Sequence, residues 1–239
     1  MFTVVLERLP LLGGLALLAI AFVIGSFAIG HGIRDKNRND VISVTGSAKK
    51  RIESDYIVWD ISVASQQPTA PAAVKELTGW TTRIRSFLTG AGVKDGEVSI
   101  QPITTETVSR KGRVVAFRLT RSFEIRSPRV LDVTDVANRS SELLGEGVPL
   151  RADQPQYVYT KLPTLRPQLL AAATRDAQAR ARVIVDATGS HLGKLRRVSV
   201  GVFQITSPNS TEVEDYGVYD TSTLEKDVTA VVNVTFSLK

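Results

Sequence analysis

A run of 25 residues, positions 9–33, reads LPLLGGLALLAIAFVIGSFAIGHGI and contains no Asp, Glu, Lys or Arg. A helix rises about 1.5 Å per residue, so about 20 apolar residues cross a hydrocarbon core about 30 Å thick. This stretch is long enough, and it restricts what the chain can become more than any other. Residues 1–33 are expected to form an N-terminal transmembrane anchor, residues 34–40 a polar linker, and residues 41–239 the body. A cleaved signal would have a basic leader and an apolar core of about 7–15 residues. Here the core is longer and Glu7 cancels Arg8, so the anchor is read as retained. Small residues recur four apart, at Ala21 and Gly25 and at Ser26 and Gly30. That spacing permits close helix packing within a membrane.

The chain carries a formal net charge of +6, with aromatic residues at only 6%. A nucleic-acid platform interleaves cations with stacking aromatics or uses a known module, and neither pattern is present. No nucleic-acid partner is expected. Arg34, Lys36 and Arg38 directly flank the apolar run, where they suit anionic headgroups. Taken literally, the positive-inside rule would place the body in the cytoplasm, although large domains translocate against flanking charge. With no cysteine, the chain has no disulfide framework, thiol nucleophile or Cys-ligated zinc.

Downstream, strand and helix periods alternate. Residues 41–46 (VISVTG) read as a short strand ended by a turn at Gly46-Ser47, and residues 56–64 alternate well enough to be its hairpin partner. Pro68 and Pro71 open a helix with Val74, Leu77, Thr81, Ile84 and Leu88 on one side, stopped by Gly90 and Gly92. An extended run, 98–108, is interrupted at Pro102, which marks an edge strand or a bulge. The basic turn Ser109–Arg113 leads into a long strand with Val115, Phe117, Leu119, Phe123 and Ile125 on its apolar face. Arg121 falls on that face and must reach a partner or the sheet rim.

Ser127-Pro128 reads as a cap and first turn for a helix carrying Val130, Val133, Val136, Leu143 and Leu144. Residues 157–160 form a short strand. A long helix over 164–188 shows an alanine-lined stripe of Leu169, Leu170, Ala173, Ala177, Ala181 and Ile184. A register change at Val202-Phe203 predicts a bulge. The acidic segment 207–225, with Glu212, Glu214 and Asp215, exceeds ordinary loop length and is either mobile or an interaction element. A final strand alternates from Val228 to Leu238. The fold class expected is α+β, with mostly antiparallel sheet and packed helices.

Several segments of this body resemble the SIMPL-domain family, bacterial envelope proteins with distant eukaryotic signalling relatives. They are the opening ISVTG at 42–46, AGVKDGEVSIQP at 91–102, AAATRDAQARA at 171–181 with Gly189 and Leu192-Gly193 beyond it, and the closing strand. The similarity covers residues 41–239. It implies an α+β fold, a tendency to homo-oligomerise and an extracytoplasmic body, and with the retained anchor the expected location is the inner (cytoplasmic) membrane, single-pass. It brings no agreed catalytic residues.

Residues that could carry chemistry are sparse. His31 and His191 are the only histidines and lie far apart in sequence, and no G-x-S-x-G elbow, phosphate-cradling glycine motif or calcium-loop pattern occurs. No catalytic, cofactor or metal residues are expected. The expected function is a non-enzymatic, membrane-anchored envelope protein that homo-oligomerises, as a ring or channel-like scaffold. The alternative is an adaptor for another envelope protein, linked to stress. The candidate contact residues are Arg110, Lys111 and Arg113 on the basic turn and Glu212, Glu214 and Asp215 on the acidic segment. The expected partners are membrane lipid, further copies of the chain and another envelope protein.

Overall fold

The structure is a computed structural model describing residues 40–212 and 214–239. The expected anchor and most of the linker, with Ala21, Gly25, Ser26 and Gly30, lie outside the described residues. Among the described residues, no helix is long and apolar enough to cross a membrane. The chain is α+β, with ten strands, four α-helices and a 3-10 turn among those residues.

The strands are β1 (Val41–Glu53), β2 (Tyr56–Gln67), β3 (Val98–Ile100), β4 (Thr104–Arg110), β5 (Arg113–Ser127), β6 (Leu150–Ala152), β7 (Gln156–Val158), β8 (Leu192–Val200), β9 (Gln204–Thr206) and β10 (Glu225–Leu238). The helices are α1 (Ala70–Gly90), α2 (Val130–Arg139), α3 (Ser141–Gly145) and α4 (Leu162–Ala187). They make two compact units. One holds residues 47–173 and 200–231, and the other the described residues up to Gly46 together with 174–199 and 232–239.

The larger unit is built on a six-stranded sheet in the order β3-β5-β2-β6, with β4 also on β5 and β7 also on β2, all antiparallel. Its core is the alternating face of β2 (Ile57, Trp59, Ile61, Val63) and of β5 (Leu119, Phe123, Ile125), covered by α1 and α2. Inside α1, Ala73, Leu77, Thr81, Ile84 and Leu88 are buried. Ala73 takes the inward place expected for Val74, which is 42% exposed. The helix stops as expected: Val93 N–H reaches back to Leu88 O, and Gly92 holds a positive φ of 84°.

Pro102 does interrupt an edge. From Ile100 to Thr104 the chain advances four residues while β5 advances three, Phe123 to Thr120, so one extra residue bulges there. Arg121, on the apolar face opposite Val63, is half-buried and its Nε has no hydrogen-bond partner.

Other expectations need correction. β1 and β2 are not a hairpin. β1 continues through Gly46 and Ser47 to Glu53 and belongs to a different sheet from β2. Gly46 is buried within it, acting as a small residue rather than a turn. The helix after β5 starts at Val130 instead of Pro128 and breaks at Ser140 into α2 and α3, leaving Leu143 buried and Leu144 exposed. Ser127 is the last residue of β5, though its Oγ still accepts from Arg129 N–H at 2.9 Å. The short strand β6 had no visible sequence signal.

A four-stranded sheet runs β1-β10-β8, with β9 also on β10. In the smaller unit, hydrogen bonds Ser43–Thr235 and Thr45–Asn233 set β1 antiparallel to β10. There the buried residues are Val44, Val232, Val234 and Phe236 with Ala177, Ala181 and Val185 of α4. The α4 stripe keeps strict four-residue steps to Val185, so Ile184 turns outward at 48% exposure. In the larger unit, Gly201 N–H bonds Val231 O, whereas Gln204 faces Thr229. Three residues thus oppose two, which is the bulge expected at 202–203.

Candidate functional site

The acidic segment proves to be a strap fastened at both ends. Ile205 N–H bonds Val218 O, Asp220 N–H bonds Ile205 O, and Tyr157 N–H bonds Thr221 O. Gln204, almost buried, serves the strap from beneath: its Nε2 donates to Glu214 O at 2.8 Å and its Oε1 accepts from Val218 N–H at 2.8 Å. A buried amide satisfied on both ends fixes a loop far better than exposed contacts do. Gly217, at φ +87°, lets the crest turn; a Cβ there would come within 2.8 Å of Phe203 O. At the crest Tyr216 is 97% exposed.

Between this strap and the sheet lies a cavity of about 460 Å³. Val202, Thr229 and Val231 contribute to its lining, and so do the acidic residues Glu212, Glu214 and Asp215. Its one lining cation, Lys49, stands 3.5 Å from Asp227. The three expected acidic contacts are therefore gathered at one opening.

The three basic candidates meet at the tip of the β4–β5 hairpin. Arg110 faces Arg113, and the two-residue loop Lys111-Gly112 has φ of 52° and 77°. Both central residues at positive φ make the tight type I′ turn that suits strand twist. Beyond the pairing of Gln67 with Phe117, β5 has β4 alone beside it. Val114 and Val115 on this ribbon are 54% and 47% exposed, so the expected inward place of Val115 is corrected. Among the described residues, none of the six charged candidates makes an ion pair.

Three ionic groups escaped the sequence reading. Asp227 is 2% exposed. It accepts from Arg51 Nε at 3.0 Å and Asn209 N–H at 3.1 Å, and the Arg51 bond leads in holding its carboxyl down to about 2. Lys226 is fully buried. Burial pushes its ammonium below the usual lysine range, opposed by Asp220. Asp220 has its own burial, which raises it, outweighed by bonds from Ser222 and Thr223 and by Lys226, leaving it at about 2. Lys226 extends the period-two series of β10 by one step, the signal that could have marked it as inward. Glu97 is also held at about 2, first by Arg129 and then, against burial, by Lys94 N–H and Ser127.

On the outer face of the six-stranded sheet, Asp60 lies directly opposite Glu124. Burial comes first, then Glu124 and Asp153, in raising the Asp60 carboxyl. Like charges so placed repel, and Arg126 bonding Glu124 at 2.7 Å relieves part of that. Among the described residues, no group of three or more His, Cys, Asp or Glu could hold a metal ion. His191 bonds Lys239 through backbone atoms only, at the foot of β8.

The SIMPL family model, described as a protein of unknown function (DUF541), matches residues 42–236. No curated protein matches the chain. One solved structure, from Burkholderia cenocepacia and assigned provisionally as an amidohydrolase/peptidase, is 20% identical over 48% of this chain with a TM-score of 0.21. The match spans 30% of that chain. A likeness this slight carries no argument about fold or chemistry. The family match covers most of the chain, which therefore belongs to the SIMPL family.

Proposed function

We propose that this SIMPL-family member is a non-enzymatic, membrane-anchored envelope protein whose body self-associates into a scaffold, closed as a ring or channel-like vestibule. The observation that carries this reading is β8, which is an edge of the four-stranded sheet among the described residues. Residues 194–200 are all exposed, and Leu195, Val198 and Val200 are each about half exposed. A long edge with unpaired backbone groups and apolar side chains invites pairing with another chain unless something covers it. β1 is the opposite edge of that sheet, so a contact from one edge to the other uses two different surfaces and repeats from copy to copy. Such a contact closes when its rotation allows.

The apolar run 9–33 supports a single-pass anchor in the inner membrane, and the resemblance carried by segments 42–46, 91–102 and 171–181 supports a body outside the cytoplasm. Mass measurement of the full chain in mild detergent tests the reading. Particles of several chains are expected, and a monodisperse monomer would sink it.

Tyr216 favours a second reading, an adaptor for another envelope protein. A nearly fully exposed aromatic at the crest of a fastened strap is the kind of anchor interfaces use. That reading expects a monomer or dimer that co-purifies with one different polypeptide and loses it in Tyr216→Ala. Deleting the whole strap is a poor test, because Asp220 and Thr223 are the partners of buried Lys226.

A further inference from the structure

We propose that the cavity beneath the strap receives the β4–β5 hairpin tip of a second copy of this chain. The inference rests on the self-association reading above and names one contact within it. Donor and acceptor each show a surface whose interactions are incomplete among the described residues.

On the donor side, the ribbon beyond Phe117 has no third strand among the described residues, and isolated two-stranded ribbons are marginal in water. It nevertheless keeps a well-formed turn, two exposed valines and three cations with no ion-pair partner among the described residues. On the acceptor side, the cavity of about 460 Å³ falls within the range of pockets that take small groups. It suits a turn and its side chains and is too small for a domain. Val202 and Val231 offer apolar lining, and three acidic residues, Glu212, Glu214 and Asp215, line the same opening. Lys49 shares Asp227 with Arg51, and a single cation offsets three acidic residues only in part.

Three cations flanked by valines therefore meet three carboxylates around valines. The complementarity lies within one sequence, and the occupant it selects is another copy. An acidic opening repels phosphate-bearing ligands. Because Gln204 holds Glu214 and Val218 in place, little of the acceptor needs ordering on binding. The exposed charges act on steering and register, while burial of the valines supplies most of the holding. Tip and cavity are different surfaces, so each copy gives one and takes one, as repeating assemblies require.

Charge reversal in the full-length protein in mild detergent tests this, read by mass distribution at several protein concentrations. A tip variant carries Arg110→Glu, Lys111→Glu and Arg113→Glu, and a rim variant carries Glu212→Lys, Glu214→Lys and Asp215→Lys. Each alone is expected to weaken assembly at least tenfold with unchanged circular dichroism. Mixed together they should reassemble, because the acidic tip then meets the basic rim and the basic tip the acidic rim. A chain with all six reversals should assemble by itself. If both variants assemble like the original chain, or if mixing restores nothing, the contact is overturned while self-association stands. A monomeric original chain overturns both.

Discussion

Asp227 shows how one residue converts register into stability. The β1–β10 pairing carries Arg51 and Lys49 to its side chain, and Asn209 N–H closes over it from the strap. Its folded carboxyl is depressed, so the stability it contributes is complete above the ordinary aspartate value. That contribution is lost as pH falls through about 2. Asp227→Asn is expected to lower stability by about 1–3 kcal/mol at pH 7. Urea midpoints at pH 7 and near pH 2 are the measurement, and the gap between the two proteins should narrow at the acid end. A gap of equal size at both pH values would assign the loss to packing instead of charge.

At the scale of elements, α4 is governed by small side chains. Ala177 and Ala181 are fully buried at four-residue spacing, so the helix axis lies close to what it covers. Ala177→Leu has to force that separation open and should cost about 1–3 kcal/mol. Val183→Leu, at a position 70% exposed, should change little. Thermal unfolding of the two variants compares them directly, and equal melting temperatures would remove the close-packing account. β8 shows the same restriction at Gly193, where a Cβ would fall within 2.6 Å of Ser237 O. Gly193→Ala should therefore loosen the β8–β10 pairing, seen as faster amide exchange in β8. Unchanged exchange there would mean the strand yields freely.

For the molecule as a whole, the proposed function depends on which side of a membrane the body occupies. Six cations after the apolar run, at Arg34, Lys36, Arg38 and 49–51, favour the cytoplasm, whereas the proposed function puts the body outside it. The chain contains no cysteine, so a single Tyr216→Cys at the exposed crest makes a clean reporter. Labelling of intact cells with a membrane-impermeant thiol reagent that crosses only the outer layers is expected. Labelling only after lysis would place the body in the cytoplasm and remove the envelope reading.

Periodicity alone carried a large part of the fold. The alternation of β2, β5 and β10, the buried stripe of α1, the Pro102 interruption and the 202–203 bulge follow from spacing and local chemistry, which act over a few residues. The α+β class and the grouping of charges into a basic turn and an acidic segment were legible for the same reason. Tertiary structure decided everything that needed a partner distant in sequence. Gly46 could be a turn or a buried strand position, and only the neighbouring β10 made it the latter. Ile184 and Val185 were equally apolar, and the strict steps of α4 chose between them. Asp60 met Glu124, Arg51 met Asp227, and the strap enclosed a cavity because long-range register brought them together. A sequence read in one dimension shows which residues can pair, while the closure of the sheets determines which of them do.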